Sequence, residues 1–431
     1  MNIAESAALK LAALERAWEE TADPGEADLV LLNTCSVRLT AEERVMGRFA
    51  HFAALKKKGL NFTLVAAGCM AQRLGEALRE KIPAVDYVLG TYSRSFFPQI
   101  LEASEQGKRA EESREKPVFS FSSSHLEEGS FRSFIPIMHG CNNYCSYCIV
   151  PYVRGREISR NPRDILSEIR LVGERGVREI TLLGQNVNSY KWEEPGKSLD
   201  FPGLLRLIAE NLEKAGGVQW VRFLSSHPKD LSPEAIRVMA EYPCFCRHLH
   251  LCVQHGSNRI LKAMNRRYTR EQYLDLAGRL RSAMPDLSLS TDILVGFPGE
   301  TEEDLAETLD LMEEVKFLYA YMYHYNPREG TAAFDLPDRI PEDVKRQRLG
   351  RVIELQKKHT LQLLKSRCGA EVTVLIEGIS RKNADELVTR TERDEMAVVP
   401  GKSSWIGSFG RLTLDSLRGN TFRARDIRLI I

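Results

Sequence analysis

Between residues 3 and 103 the apolar positions switch repeatedly between two spacings. ALKLAALERAW places its apolar residues on one helix face, and ADLVLLNTC is a continuous apolar run of strand length. Residues 41–58 return to the helical spacing, NFTLVAAGC is a second buried-strand run, a helix follows from Gln72, and VDYVLG is a short third strand. This alternation predicts a Rossmann-like parallel α/β domain over residues 1–105. Two of its strands end on a cysteine, Cys35 and Cys69. Ligands of parallel sheets sit outside the carboxyl ends of the strands, so the two thiols are expected to share one crevice.

Residues 106–130 are polar, serine-rich and charged in both signs, which predicts a linker. From residue 134 to about 325 the alternation resumes, with strands expected at FIPIM, EITLLG, WVRFLS, HLHLCV, LSTDILV and LYAYMYHY and helices at 161–175, 269–284 and 302–315. Six such units predict a partial (β/α)6 barrel of the TIM type, whose functional groups gather at the carboxyl ends of the strands. A long basic helix over residues 342–366 leads into short strands punctuated by Gly and Asn, the pattern of a small closed β-barrel over residues 366–431.

Composition narrows the class. At 431 residues with 43% hydrophobic and 28% charged residues, the chain is globular and large enough for two to four domains. Its longest apolar runs, such as residues 29–32, fall far short of the roughly 20 residues that cross a bilayer, so no membrane partner is expected. The amino-terminal stretch carries acid from its fifth position and has helical patterning, which argues against an export signal and for a cytoplasmic protein. Net charge is +1, yet residues 341–368 hold eight Lys or Arg against three acidic residues, a patch that suits phosphates or simply solvent.

Nine cysteines in such a chain point to core thiols or metal ligands rather than disulfides, which makes their clustering informative. Cys141, Cys145 and Cys148 lie in GCNNYCSYCIVPYVRG, at i, i+4 and i+7. That spacing shares one face of a helix, but Gly140, Asn142, Asn143 and Pro151 are loop formers and the stretch follows directly on a strand. Structural zinc also takes thiolates, typically four and typically as paired CxxC knuckles, which this loop lacks. Three thiolates on a four-iron cluster leave one iron open for chemistry.

CNNYCSYC, with Tyr147 before its last cysteine, resembles the CxxxCxΦC signature of the radical S-adenosylmethionine enzymes. That resemblance implies a 4Fe-4S cluster on Cys141, Cys145 and Cys148, with S-adenosylmethionine chelated at the open iron and cleaved to a 5′-deoxyadenosyl radical. LLNTCSVR, AAGCMAQR, EITLLGQNVNSY, FLSSHP, LHLCVQHGSNRILKAMNRRYTREQY, TDILVGFPGET and SLRGN extend the likeness over nearly the whole chain to the methylthiotransferases, most closely to the tRNA-2-methylthio-N6-dimethylallyladenosine synthase (MiaB) family. The resemblance implies a methylthiotransferase domain at 1–105, a radical core at 131–365 and a TRAM domain at 366–431. It also implies replacement of the C2 hydrogen of N6-isopentenyladenosine beside the tRNA anticodon by a methylthio group. The sulfur would come through a second, auxiliary 4Fe-4S cluster.

Family members hold that auxiliary cluster with three cysteines, of which Cys35 and Cys69 match the second and third. The first would stand two residues before a Met-Asn pair that here is Met1–Asn2, so the expectation is that it lies upstream of this sequence. Cys244, Cys246, Cys252 and Cys368 are expected to be buried, inert thiols rather than substitutes. Tyr147, Gln185, Asn186, Ser225, Ser226, Gln254, Gly296 and Glu300, on the catalytic face, are candidates for holding the cosubstrate. The histidines 227, 248, 250 and 255 are read as structural. Arg154, Arg156, Arg160, Arg381, Lys382 and Arg390 are candidates for RNA phosphates, with the small barrel reading the anticodon arm by shape. The implied partners are the tRNA anticodon arm and an electron donor of the flavodoxin or ferredoxin type, with the protein a monomer. The competing functions are thiomethylation of threonylcarbamoyladenosine, thiomethylation of a ribosomal-protein aspartate, and a non-catalytic iron–sulfur RNA-binding protein.

Overall fold

The computed structural model describes residues 2–36, 39–111, 119, 121 and 129–430; most of the expected linker, residues 112–118, 120 and 122–128, lies outside them. The first unit is a parallel sheet in the order Leu29–Thr34, Thr63–Gly68, Tyr87–Leu89. Its middle strand reads as an unbroken apolar run because both faces are covered. Leu64 and Ala66 pack with Phe49, Phe52 and Leu78 on one side, and Val65 and Ala67 with Leu9, Phe97 and Ile100 on the other. The first helix spans Asn2–Leu14, earlier than the ALKLAALERAW pattern indicated, because the chain turns sharply at Ala17, whose φ is 61°. The helix expected from Gln72 starts at Cys69 and is split into Cys69–Leu74 and Glu76–Lys81 by Gly75, at φ 51°.

All six expected barrel strands form. Arg132–Pro136, Glu179–Leu183 and Trp220–Phe223 pair in parallel, as do His248–His250, Ser288–Val295 and Tyr319–His324. Single parallel bridges, Val221 with Phe245 and Ser226 with Leu251, join the two halves. Alternation decides what faces where. Ile135, Ile180, Leu182, Val221, Phe223, Leu249, Leu251, Leu289 and Ile293 point out to the helices and form the main core. The concave side receives the intervening residues, most of them polar. Helices Arg270–Ala283 and Glu302–Val315 each begin at a capping box, on Thr269 and Thr301, so their start signals were readable from sequence. A hairpin, Lys191–Glu194 with Lys197–Asp200, was not anticipated.

Helix Glu342–Lys365 runs into a seven-stranded, mostly antiparallel sheet with its own apolar core around Val374, Leu387, Val399 and Phe422. One turn of this unit, between Thr391 and Glu395, sits against the amino ends of the barrel strands. Arg222 donates to the carbonyl oxygens of Thr391 (2.9 Å) and Glu392 (3.0 Å), and Ser288 to that of Arg393 (2.9 Å). The turn thereby floors the barrel at the end opposite the cysteine loop. At that other end the first unit docks on the short helix Val150–Arg154. Thr91 Oγ1 donates to Val153 O and Tyr92 OH to Arg154 O, both at 2.7 Å, and Cys69 packs on Ile149 and Val153. Arg154 donates to both carboxylate oxygens of Glu5, at 2.6 and 3.1 Å, with both side chains buried.

Candidate active site

The cysteine stretch is a loop, which removes the one-helix-face reading; a helix starts only at Val150. Gly140 enters it at φ 78°, and a Cβ there would lie 2.0 Å from the Arg156 carbonyl oxygen, so only glycine allows this return of the chain. Backbone pairing then pins the loop from two sides. Cys141 N donates to Gly155 O (3.1 Å), Ser146 N to Met264 O (3.0 Å), and Asn265 Nδ2 to Tyr144 O (2.9 Å). Tyr144 itself holds a left-handed φ of 49°, the kind of strain that collects at functional sites. Tyr147 packs into the apolar cluster of Ile260, Met264, Leu294 and Phe297.

Cys141, Cys145 and Cys148 converge closely enough that Cys145 disfavours the ionisation of the other two. Burial first, and the neighbouring Cys145 with it, push the Cys141 thiol up to about 11 and that of Cys148 up to about 12. Two of the three thiols, Cys141 and Cys148, resist becoming thiolates on their own, and such a donor set is one that a cation completes. Arg266, which spacing did not reveal, donates to Cys145 Sγ at 3.3 Å and reaches Tyr147 OH at 3.5 Å.

The first unit brings Cys35 and Cys69 together as expected, since Thr34 pairs with Gly68 in parallel register one residue earlier. Cys69 is raised by burial, lowered by Arg154 and raised by Glu5 and Cys35. Cys69 and the helix that leaves the three-cysteine loop are thus packed together, so both thiol sets lie on the same boundary between units.

The carboxyl ends of the barrel strands carry a concentration of unmet polar groups. Gln185 Oε1, Asn186 Oδ1, both amide atoms of Asn188, Ser226 Oγ and His227 Nε2 are buried without a hydrogen-bond partner among the described residues. Native proteins leave few such atoms, so a polar ligand is implied there. Ser225 (φ 69°) and Gln254 (φ 70°) add backbone strain at the same ends. Of the sequence candidates, Gln185, Asn186 and Ser226 therefore face an unmet need, whereas Glu300 does not. Its carboxylate already accepts from Gly296 N (2.7 Å) and Arg348 (2.9 Å) and meets His255 at 3.2 Å, which makes both residues structural.

Several basic candidates are corrected. Arg154 is consumed by Glu5, Arg160 is buried on Glu168, and Arg390 is paired with Glu377 and Asp394. Arg156, Arg381 and Lys382 remain exposed. Cys246 is buried, but Cys368 is exposed beyond the carboxyl end of the long helix, and Cys252 stands with His250 and Asp292 on the concave face.

A six-stranded parallel half-barrel with three convergent thiols in its first βα loop and unmet polar groups along its strand ends defines a radical S-adenosylmethionine enzyme. Family profiles agree: residues 135–312 match the radical SAM superfamily, residues 1–90 the uncharacterized protein family UPF0004, and residues 365–424 the TRAM domain. A solved radical S-adenosylmethionine methyltransferase, TsrM from Kitasatospora setae, shares the fold with a TM-score of 0.57 at 15% identity, over 76% of this chain and 66% of that one. Among curated proteins, the tRNA-2-methylthio-N(6)-dimethylallyladenosine synthases of Treponema pallidum (strain Nichols) and Treponema denticola are each 50% identical, over 98% of this chain and 96% and 97% of theirs. That of Thermoanaerobacter sp. (strain X514) is 41% identical over 100% of this chain and 91% of its own length. The chain belongs to the tRNA-2-methylthio-N6-dimethylallyladenosine synthase family of radical S-adenosylmethionine enzymes. Membership implies a 4Fe-4S cluster and S-adenosylmethionine, and the thiol trio and the unmet polar atoms fit both. Among the described residues no helix is long and apolar enough to cross a membrane.

Proposed function

We propose that this enzyme adds a methylthio group to C2 of N6-dimethylallyladenosine beside the anticodon of cytoplasmic tRNA. The observation that carries the reading is the packing of Cys69 against the helix that leaves the three-cysteine loop, which joins a radical-forming site to a second thiol site. Cys141, Cys145 and Cys148 would hold the 4Fe-4S cluster, which when bound and reduced would supply the electron for cleaving S-adenosylmethionine. Cys35 and Cys69 would contribute ligands to an auxiliary cluster, which would carry the sulfur. Tyr147 backs the loop, and Gln185, Asn186, Ser225 and Gln254 hold the cosubstrate, whose amino, carboxyl and ribose groups meet the polar demand at the strand ends. Arg266, donating to Cys145 Sγ, keeps a positive charge beside the thiolates.

The C2–H bond of a purine is not acidic enough for a side-chain base, so the protein's own task is to place that carbon beside the radical and keep water away. Exposed Arg156, Arg381 and Lys382 meet tRNA phosphates, a flavodoxin- or ferredoxin-type protein delivers electrons, and the enzyme acts as a monomer. Anaerobically reconstituted protein is incubated with dithionite, S-adenosylmethionine and dimethylallylated tRNA, and the digested nucleosides are analysed by mass spectrometry. The expected product is 2-methylthio-N6-dimethylallyladenosine together with 5′-deoxyadenosine. Thiomethylation of threonylcarbamoyladenosine instead, or no 5′-deoxyadenosine at all, overturns the proposal.

A further inference from the structure

The concave face of the barrel carries one group of side chains that neither thiol set includes. His250 closes the fourth barrel strand, Cys252 lies two residues on in its extension, and Asp292 stands on the fifth. Register brings them together. His250 pairs with Ser290 in parallel, and Gln254 N donates to Asp292 O at 2.9 Å, so residues 250, 252 and 292 present their side chains on one face of adjacent strands. Their donor atoms all lie within 4.8 Å of one another.

Two arrangements of such a trio can be told apart by the ring nitrogen that each partner faces. In a proton relay the carboxylate and the nucleophile meet opposite nitrogens of the imidazole. Here both meet the same one: His250 Nε2 lies 3.2 Å from Cys252 Sγ and 3.6 Å from Asp292 Oδ2, while Nδ1 is taken by Ser290 Oγ at 3.0 Å. Three donors aimed at one point make a coordination set. Zinc bonds of about 2.0–2.3 Å in a tetrahedron hold neighbouring donors about 3.3–3.8 Å apart, close to these spacings. The surrounding contacts suit the same role. With Nδ1 donating to Ser290 Oγ, the Nε2 lone pair is left for the centre, and Ser290 Oγ is itself fixed by His248 Nε2 at 2.9 Å. The Tyr321 ring, edge-on to that of His250 at 5.5 Å, walls one side.

We infer that His250, Cys252 and Asp292 form a binding site for a thiophilic divalent cation of the zinc class, separate from both thiol sets, with one coordination position left to the barrel cavity. Thiolate and imidazole donors select such an ion over magnesium or calcium. Charge balances, since a thiolate and a carboxylate together offset a dication. Burial holds the Cys252 thiol protonated, so the entering ion displaces one proton from sulfur as the metal–sulfur bond forms. Arg266 stands beside the trio with its donors directed elsewhere: to Cys145 Sγ at 3.3 Å, to the Cys252 carbonyl oxygen at 2.7 Å and to Tyr268 OH at 3.1 Å. Three protein ligands and an open position are the pattern of a zinc that takes a further ligand, not of one that only braces a fold.

The test uses full-length Cys35→Ala/Cys69→Ala protein, which lacks the competing thiol pair, reconstituted with iron in the absence of oxygen, treated with Zn2+ alone and desalted. It is expected to keep one zinc per chain with its iron undisturbed, and the zinc-edge X-ray absorption fine structure to show a single sulfur at about 2.3 Å beside nitrogen and oxygen at about 2.0–2.2 Å. Adding Cys252→Ser or Asp292→Asn is expected to weaken zinc binding at least about tenfold, with iron content and circular dichroism as fold controls. The spectrum of the background protein remains a test if either added variant misfolds, and in the wild-type chain Cys252→Ser must likewise remove one zinc. No retained zinc, a zinc bound by two or more sulfurs, or binding unchanged by Cys252→Ser overturns the inference. The proposed function stands or falls separately, on its own nucleoside assay.

Discussion

Removing Glu5 tests how the two thiol sites are held together. Glu5 and Arg154 are 149 residues apart, each side chain 4% exposed, and joined by two hydrogen bonds. Burial alone would raise the Glu5 carboxyl, but the Arg154 charge and hydrogen bonds outweigh it and hold the group down at about 2, while Arg154 itself is raised. Glu5→Leu strands the guanidinium. Its remaining neighbours are Arg94, which repels it, His139, which burial keeps neutral, the Cys69 thiol, which burial holds protonated, and the Asn2 side chain at 3.4 Å. Deleting one partner of a buried pair costs about 3–5 kcal/mol, whereas replacing both by apolar residues is often neutral. Hydrogen exchange resolved by peptide reads the effect locally: amides of helix Asn2–Leu14 should exchange at least about a hundredfold faster in Glu5→Leu and return near wild type in Glu5→Leu/Arg154→Met. Thiomethylation should fall far more than 5′-deoxyadenosine formation, since Cys69 loses its seat on the helix Val150–Arg154 while the cysteine loop keeps its own anchors. A single variant within about 1 kcal/mol of wild type, or a double variant no better than the single, refutes the reasoning.

Other expectations concern the loop and acid stability. Gly140→Ala must leave the left-handed region and clear a contact of 2.0 Å with the Arg156 carbonyl, so iron bound per chain after reconstitution should drop well below wild type; full iron content would contradict it. His139, held down at about 3 by burial and Arg154, and His227, at about 2 by burial and the cations Arg266, Lys229 and Arg267, stay neutral in the fold. Below the unfolded value of 6.5 the unfolded chain takes up protons that the native state refuses, so stability is intact above that pH and falls as pH drops, by up to about 2.7 kcal/mol per pH unit for the pair. Urea midpoints measured at about pH 7.5 and about pH 5.5 check this, and equal midpoints would contradict it.

Much of the architecture was legible because it is written in local periods. The six barrel strands each carry a continuous or alternating apolar run whose outward half builds the main core, and the capping Thr269 and Thr301 mark their helices. The cysteine loop was legible from spacing and its glycine, and the pairing of Cys35 with Cys69 from the rule for parallel strand ends. What was not legible depends on partners far apart in sequence. No period signals that Arg154 will meet Glu5 or that Arg222 will hold a turn 169 residues away. A charged residue looks the same in sequence whether it faces RNA or a buried carboxylate. The grouping of His250, Cys252 and Asp292 likewise emerges only when two neighbouring strands are set in register.

On the proposed function, Cys141, Cys145 and Cys148 alone hold a site-differentiated four-iron cluster. Mössbauer spectroscopy on a Cys35→Ala/Cys69→Ala variant, reconstituted without oxygen, addresses it most directly. The expected spectrum is that of one 4Fe-4S cluster per chain with a single iron perturbed on adding S-adenosylmethionine. Zinc in place of iron, or a cluster whose spectrum S-adenosylmethionine leaves untouched, would contradict the account.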